Sequence, residues 1–283
     1  MERNCYSQKF GGFWTEEKLR LFTRYLEAYL KALQYQKFHK IYIDAFAGTG
    51  EIETKDRDIL IPGSVKRALS ASKKFDKYIF IEKDPNKVSQ LKELIDTKFS
   101  YLSDRIYIRC GDANEELQKL AHKYDWIHNR GLLFLDPFAT SVDWETLKEI
   151  AQTQAIDVWY LFPLAAVNRM MPNNGKIDLN CEKNITRILG SHEWKKEFYK
   201  QSREVLLFDS QSEEVTKDAN TDQIKEYIIK RLNSIFPCVS QKPRILRNSK
   251  NAPMFLFCFA ISSTSKKAQK LGLKIANYIL DKF

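Results

Sequence analysis

The sequence predicts an α/β fold, a Rossmann-like layered sandwich with a mostly parallel sheet and a C-terminal antiparallel hairpin, on three observations. Five short apolar runs each end in a polar or kinking residue. Segments with helical periodicity separate them, the pattern of crossover helices on both faces of a parallel sheet. Near the C-terminus the alternation stops, and two strand-like runs follow each other across a short polar turn, a spacing that only antiparallel pairing satisfies.

In chain order, Thr15 reads as the N-cap of a first helix, with Glu16 and Glu17 in its first turn and Trp14 placed to pack on Leu19. Leu19, Phe22, Leu26, Tyr29, Leu30 and Leu33 form its apolar stripe, expected to lie against the sheet. The first apolar run, Ile41-Tyr42-Ile43, enters Asp44-Ala45-Phe46-Ala47-Gly48-Thr49-Gly50, a turn with few side chains that lets a ligand approach the main chain. Glu51 to Ile61 follow as a polar loop carrying Lys55, Asp56, Arg57 and Asp58, expected to be a lid or substrate loop or else plain surface. Ser64 to Lys74 is a helix with Ser64 as its N-cap.

Tyr78-Ile79-Phe80-Ile81 is the second run, ending in Glu82 and Asp84; Pro85 to Thr97 is its helix, with Val88, Leu91, Leu94 and Ile95 on one face. Ile106-Tyr107-Ile108 leads to Cys110-Gly111-Asp112-Ala113-Asn114 and a helix from Asn114 to Tyr124. Leu132 to Leu135 ends in Asp136-Pro137-Phe138, and a helix from Trp144 to Gln152 follows. Val158 to Phe162 ends in Pro163. From Ala165 to about Asp218 the pattern is less regular, with a turn at Met170 to Gly175 and a helix at Glu193 to Tyr199. This reads as an insertion for substrate recognition or as a structural cap. Thr221 to Ile235 is amphipathic, and Arg244 to Arg247 with Met254 to Ser262 form the hairpin. The chain therefore divides into a helical extension over residues 1–40 and one α/β domain over 41–283, with the insertion at about 165–218.

Ligands of open α/β sheets bind at the carboxyl ends of the strands, where Asp44, Glu82, Asp112 and Asp136 fall. The same residues also read as a packed turn, a solvated strand end, a helix N-cap and a strand-ending turn with Phe138 in the core. A nicotinamide dehydrogenase ranks lower, because the turn lacks a third glycine. A parallel sheet finished by an antiparallel hairpin is the layout of class I S-adenosylmethionine-dependent methyltransferases.

The order of Phe13-Trp14-Thr15-Glu16-Glu17-Lys18-Leu19, Tyr25-Leu26-Glu27-Ala28-Tyr29, Asp44 to Gly50, Pro62-Gly63-Ser64, Gly111-Asp112-Ala113-Asn114 and Phe134-Leu135-Asp136-Pro137-Phe138 resembles the three-Cys-motif partner proteins, over residues 13 to about 163. That family is methyltransferase-like and is named for a separate, cysteine-bearing partner protein. The resemblance implies S-adenosylmethionine as cofactor. Gly48 and Gly50, beside Phe46, would admit its methionine portion and ribose, and Asp44 would attract its ammonium. Glu82 would take both ribose hydroxyls. Asp112 would accept from the adenine amine, with Ala113 or Asn114 presenting backbone to the ring. Asp136, Pro137 and Phe138 would form the catalytic motif of an amine-directed methyltransferase. There an acidic or amide oxygen orients the acceptor nitrogen and an aromatic ring stacks on the base. This chain has one proline where such motifs carry two, and its aromatic lies two residues after the aspartate instead of three.

Forty-six Lys and Arg against 36 Asp and Glu leave a net charge of +10, which favours a polyanionic partner. Arg244, Arg247 and Lys250 on the hairpin, with Lys242, are the candidate nucleic-acid contacts. The clusters at Lys195-Lys196 with Lys200 and Arg203, and at Lys266-Lys267 with Lys270 and Lys274, read as solvated helix faces. The five cysteines and four histidines have no ligand spacing, so no metal site is expected and a three-cysteine motif would belong to the partner. Pro237-Cys238 falls after the fifth strand, which argues against a cytosine-C5 nucleophile. No stretch has the length and apolarity of a membrane span and Met1 to Cys5 lacks a signal sequence's apolar core, so a soluble, cytoplasmic protein is expected. Two classes stand: a methyltransferase acting on a nitrogen of a nucleic-acid base, and a cofactor-binding or inactive scaffold for its partner protein.

Overall fold

A computed structural model describes residues 13–53, 60–203 and 213–282. The first half comprises α1 (Phe13–Ala32), β1 (His39–Asp44), β2 (Glu51–Glu53), β3 (Leu60–Pro62), α2 (Ser64–Ser70), β4 (Lys77–Glu82), α3 (Pro85–Lys98), β5 (Ile106–Cys110), α4 (Ala113–Lys123) and β6 (Asn129–Leu135). Then come α5 (Trp144–Gln152), β7 (Ile156–Phe162), α6 (Leu164–Arg169), α7 (Leu179–Leu189), α8 (Trp194–Phe198), β8 (Tyr199–Arg203) and β9 (Glu213–Lys217). The chain closes with α9 (Thr221–Asn233), β10 (Cys238–Val239), β11 (Arg244–Arg247), β12 (Pro253–Ile261) and α10 (Lys266–Lys282).

The main sheet has the order β10-β12-β7-β6-β1-β4-β5, with β11 also pairing to β12. β5, β4, β1, β6 and β7 are mutually parallel, and β12 runs antiparallel to β7. Five parallel strands in a doubly wound order, extended by an antiparallel strand, make this a Rossmann-like class I methyltransferase fold. The apolar runs account for it: β1, β4, β6 and β7 are buried over most of their length, which only a sheet covered on both faces permits.

Side-chain alternation divides the core in two. Ile41, Ile43, Ile79, Ile81, Leu133 and Leu135 face α4, α5, α7 and α9. Tyr42, Tyr78, Phe80, Leu132, Phe134 and Trp159 face α1, α2, α3 and α10. The first helix is thus one wall of the second core, as its stripe requires. Phe22 stacks on Phe134 with centroids 4.1 Å apart, and Tyr25 meets Trp159 at 5.1 Å and Phe259 at 4.9 Å.

Two local expectations, both of helix caps, are corrected. Thr15 is not an N-cap: the helix already runs from Phe13, and the Thr15 hydroxyl is buried without a partner among the described residues. Trp14 packs on Phe255 of β12 at 4.6 Å and lies under the Lys18 ammonium. Ser64 is also not a cap, because Gly63 holds that position with extended backbone. The polar loop after the glycine turn has paired ends, β2 against β3, and its Lys55, Asp56, Arg57 and Asp58 lie outside the described residues. The 165–218 stretch contributes α6, α7, α8 and the β8–β9 ribbon.

If α1 is part of the core, Phe22→Ala should lower the unfolding free energy by about 3–5 kcal/mol, the cost of a buried Phe-to-Ala truncation. Urea unfolding with an unchanged m-value checks this. A loss of under about 1 kcal/mol would make α1 a peripheral helix.

Candidate functional site

Parallel register brings the motif-bearing ends together. Asp44 at the end of β1 is paired with Phe80 of β4 and Phe134 of β6, and Glu82 at the end of β4 is paired with Cys110 of β5. The turn after β1 is sewn to β4: the Ala47 N–H donates to the Ile81 carbonyl at 2.9 Å and the Gly48 N–H to Glu82 Oε2 at 2.9 Å. Glu82 Oε1 accepts from the Asp84 N–H at 2.9 Å, so both carboxylate oxygens are fixed while each keeps a lone pair for a diol.

The two glycines differ. Gly48 has φ +59°, and a Cβ built on it would meet nothing within 4 Å, so the turn is open at this position, next to the bond to Glu82. At Gly50, φ is +82° and a Cβ would lie 2.5 Å from Leu94 Cδ2 and 3.3 Å from Leu91 Cδ1. The absence of a side chain at Gly50 therefore lets α3 pack under the turn.

Asp44 is fully buried beneath the turn. Its oxygens accept from the Tyr42 hydroxyl at 3.0 Å, the Phe46 N–H at 3.3 Å and the Ser64 hydroxyl. Burial pushes its carboxyl up to about 6 against these hydrogen bonds, with a further push from Asp136. Phe46 packs half-buried on the first core cluster and Ala113 is buried there. Asp112 caps α4 by accepting from the Asn114 N–H at 2.9 Å, and Lys83 approaches it at 3.3 Å. Burial disfavours its charge, yet the Asn114 N–H and Lys83 hold its carboxyl below the usual range.

Asp136 follows β6 on the same edge, and Lys18 of α1, 118 residues away, donates to its Oδ2. The Lys18 side chain is 4% exposed and that of Asp136 24%. No described residue donates to Oδ1. Lys18 has no local sequence signal; the fold brings the second turn of α1 over the end of β6. Phe138 is 66% exposed, which removes its reading as a core residue. An exposed ring, a carboxylate with one oxygen left for a donor, and an open glycine turn can together orient a planar acceptor beside a small cofactor.

The hairpin lies at the same edge, because Leu256 of β12 is paired with Phe162 at the end of β7 and the turn after β11 continues beyond it. A groove of about 1030 Å³ is lined there by Lys242, Arg244, Arg247, Asn248 and Lys225, a cation the sequence reading had not included. Arg244 pairs with Glu17 at 2.9 Å, Arg247 donates to the Asn251 carbonyl at 2.8 Å, and the Lys250 N–H closes on Asn248. Lys195 and Lys200 of another cluster pair with Glu182 and Asp218. Among the described residues no His, Cys, Asp or Glu cluster could hold a metal ion, and no helix is long and apolar enough to cross a membrane.

Because the folded Asp44 carboxyl is raised above its unfolded value, its contribution to stability is fully present below about pH 4 and is lost as pH rises through about 6. Relative to Asp44→Asn, the parent chain should lose on the order of 2–3 kcal/mol of unfolding free energy between those limits. Parallel pH profiles for the two proteins would refute this.

No family model matches the chain, and no curated protein matches it. Solved structures with similar folds include a Legionella pneumophila protein of the DUF519 family, 14% identical, covering 95% of this chain and 92% of that one at a TM-score of 0.48. Spermidine synthase from Thermotoga maritima is 12% identical over 93% of this chain and 63% of its own, at 0.44. A S-adenosylmethionine-dependent methyltransferase from Clostridium acetobutylicum is 10% identical over 85% and 92%, at 0.37. The fold assignment rests on strand order and direction and not on these likenesses.

Proposed function

We propose that this chain is a S-adenosylmethionine-dependent methyltransferase acting on a nitrogen of a nucleic-acid base. The observation that carries the reading is the single sheet edge holding the open Gly48 turn, Glu82, Asp112 and the Asp136-Pro137-Phe138 motif. These residues fit the cofactor: Glu82 offers two anchored oxygens to a ribose diol, Asp112 an acceptor to the adenine amine, and Asp44 a negative charge beneath the turn. When bound, S-adenosylmethionine supplies an electrophilic methyl group.

The chain's own groups do the rest. Asp136 Oδ1 accepts an acceptor N–H and aims the nitrogen lone pair, while Lys18 fixes the carboxylate through Oδ2. No strong base is needed, because the nitrogen's proton becomes acidic only as the new bond forms. Phe138 offers its ring to the base plane, and Arg244, Arg247 and Lys250 offer cations to flanking phosphates. Association with a three-Cys-motif protein rests on the sequence resemblance. The second reading, a cofactor-binding scaffold, draws on the same Lys18 contact, since a lysine seated on Asp136 would also suit a site that does no chemistry.

Calorimetry with S-adenosylhomocysteine and methyl-label transfer to total RNA and DNA separate the two. Glu82→Ala should weaken binding by about 1–3 kcal/mol. Asp136→Ala should leave binding nearly intact and cut transfer by about 100-fold or more, with Asp136→Asn keeping part of it. Binding without transfer in the parent chain would favour the scaffold.

Replacing Arg244, Arg247 and Lys250 together should weaken nucleic-acid binding across sequences and flatten its log-log salt slope by about one unit per lost phosphate contact. An unaltered slope would remove the hairpin from the interface.

A further inference from the structure

The segment that carries Phe138 is held from outside by two side chains that the methyl-transfer reading does not use. Arg187 of α7 donates through Nη2 to the Thr140 carbonyl at 2.7 Å and through Nη1 to the Asp143 carboxylate. The same guanidinium is steadied by Asn184 Oδ1 at 2.7 Å. Asn114 of α4 donates through Nδ2 to the Ser141 carbonyl at 2.9 Å. Its Oδ1 accepts from the Asp143 N–H at 2.9 Å and from the Thr146 hydroxyl at 3.0 Å.

Within the segment, Ala139 has φ +52°, which an alanine adopts only where its surroundings impose it, and the Ser141 hydroxyl donates to the Phe138 carbonyl. Two carbonyls, one N–H and one carboxylate between Thr140 and Asp143 are thus tied to α7 and α4, while the Phe138 ring stays exposed. Arg187 is a fork able to hold a carbonyl and a carboxylate at once, a geometry lysine cannot reproduce.

We propose that Arg187 and Asn114 are positioning residues that brace the Pro137–Asp143 segment, so that the stretch after β7 sets where Phe138 presents an acceptor. This rests on the methyltransferase reading for its consequence and on hydrogen bonds alone for the brace. The brace acts on acceptor geometry and leaves the Gly48 and Glu82 end of the site untouched.

Hydrogen exchange of the 138–143 amides, S-adenosylhomocysteine calorimetry and steady-state methyl transfer to the RNA or DNA fraction that the parent labels, each on the full chain, test it. In Arg187→Ala the segment's exchange should rise by about 10-fold or more, because the opened state is no longer opposed. Cofactor affinity should stay within about threefold, and kcat should fall by about 10-fold with KM changed far less, as misorientation predicts. Arg187→Lys should recover part of kcat. Asn114→Ala should loosen the same amides, and the double variant should fall short of additivity. Unchanged exchange, or a kcat that falls only in proportion to the folded fraction, overturns the brace while leaving the methyl-transfer reading intact. A parent chain that transfers no methyl to RNA or DNA removes that reading, and with it the positioning role, even where the segment loosens.

Discussion

The register of β1 between β4 and β6 is the constraint on which the site depends. Side chains alternate along a strand, so a slip of one residue would turn Asp44 from the α1 side of the sheet to the other face and carry the turn after it away from Glu82. Burial on both faces forbids the slip: Ile41, Tyr42 and Ile43 each fill one of the two cores. The hydrogen bond of the Gly48 N–H to Glu82 then fixes the turn relative to the neighbouring strand. Packing sets the register and the register sets the edge.

The first helix is bound into the same logic. Its apolar stripe covers the sheet through Phe22, Tyr25 and Leu26, and that docking determines where its first two turns fall. Lys18 thereby lands on Asp136, Trp14 on Phe255 and Glu17 on Arg244. A lysine this buried is tolerated because its ammonium is paired to a carboxylate and lies over an indole face. One helical turn therefore touches both the candidate catalytic aspartate and the basic hairpin.

Much of this was legible in the residues because the signals were local. The apolar runs of β1, β4, β6 and β7 needed only their own length and composition, and the Trp144–Gln152 helix its own periodicity. What could not be read depended on partners distant in sequence. Ser64 looked like a cap until Gly63 bonded back to Gly50, freeing the serine hydroxyl for Asp44. Nothing in the sequence around Gly50 shows that α3 places Leu94 against it. Lys18 stood between Glu17 and Leu19 with nothing to mark it, and Arg187 lay in the least regular part of the chain.

Charge is sorted along the edge in a way the net value conceals. Asp44, Glu82, Asp112 and Asp136 gather at the strand ends, with Lys18 and Lys83 as their cationic partners there, and Asp136 adds to the cost of ionising Asp44. Cations outnumber acids in the hairpin groove, where Lys225, Lys242, Arg244 and Arg247 line the surface with Glu17 and Asp281, and Lys242 and Arg244 pair with these two carboxylates. A sheet edge with more carboxylates than ammonium groups is the electrostatic complement of a positively charged small molecule, and a neighbouring basic groove that of a phosphate chain. Were the proposed cofactor and a phosphate chain drawn to one undivided basic surface, the two would compete for it. On the methyltransferase reading, the β7 and β12 pair keeps the two signs apart, so neither ligand would have to displace the other.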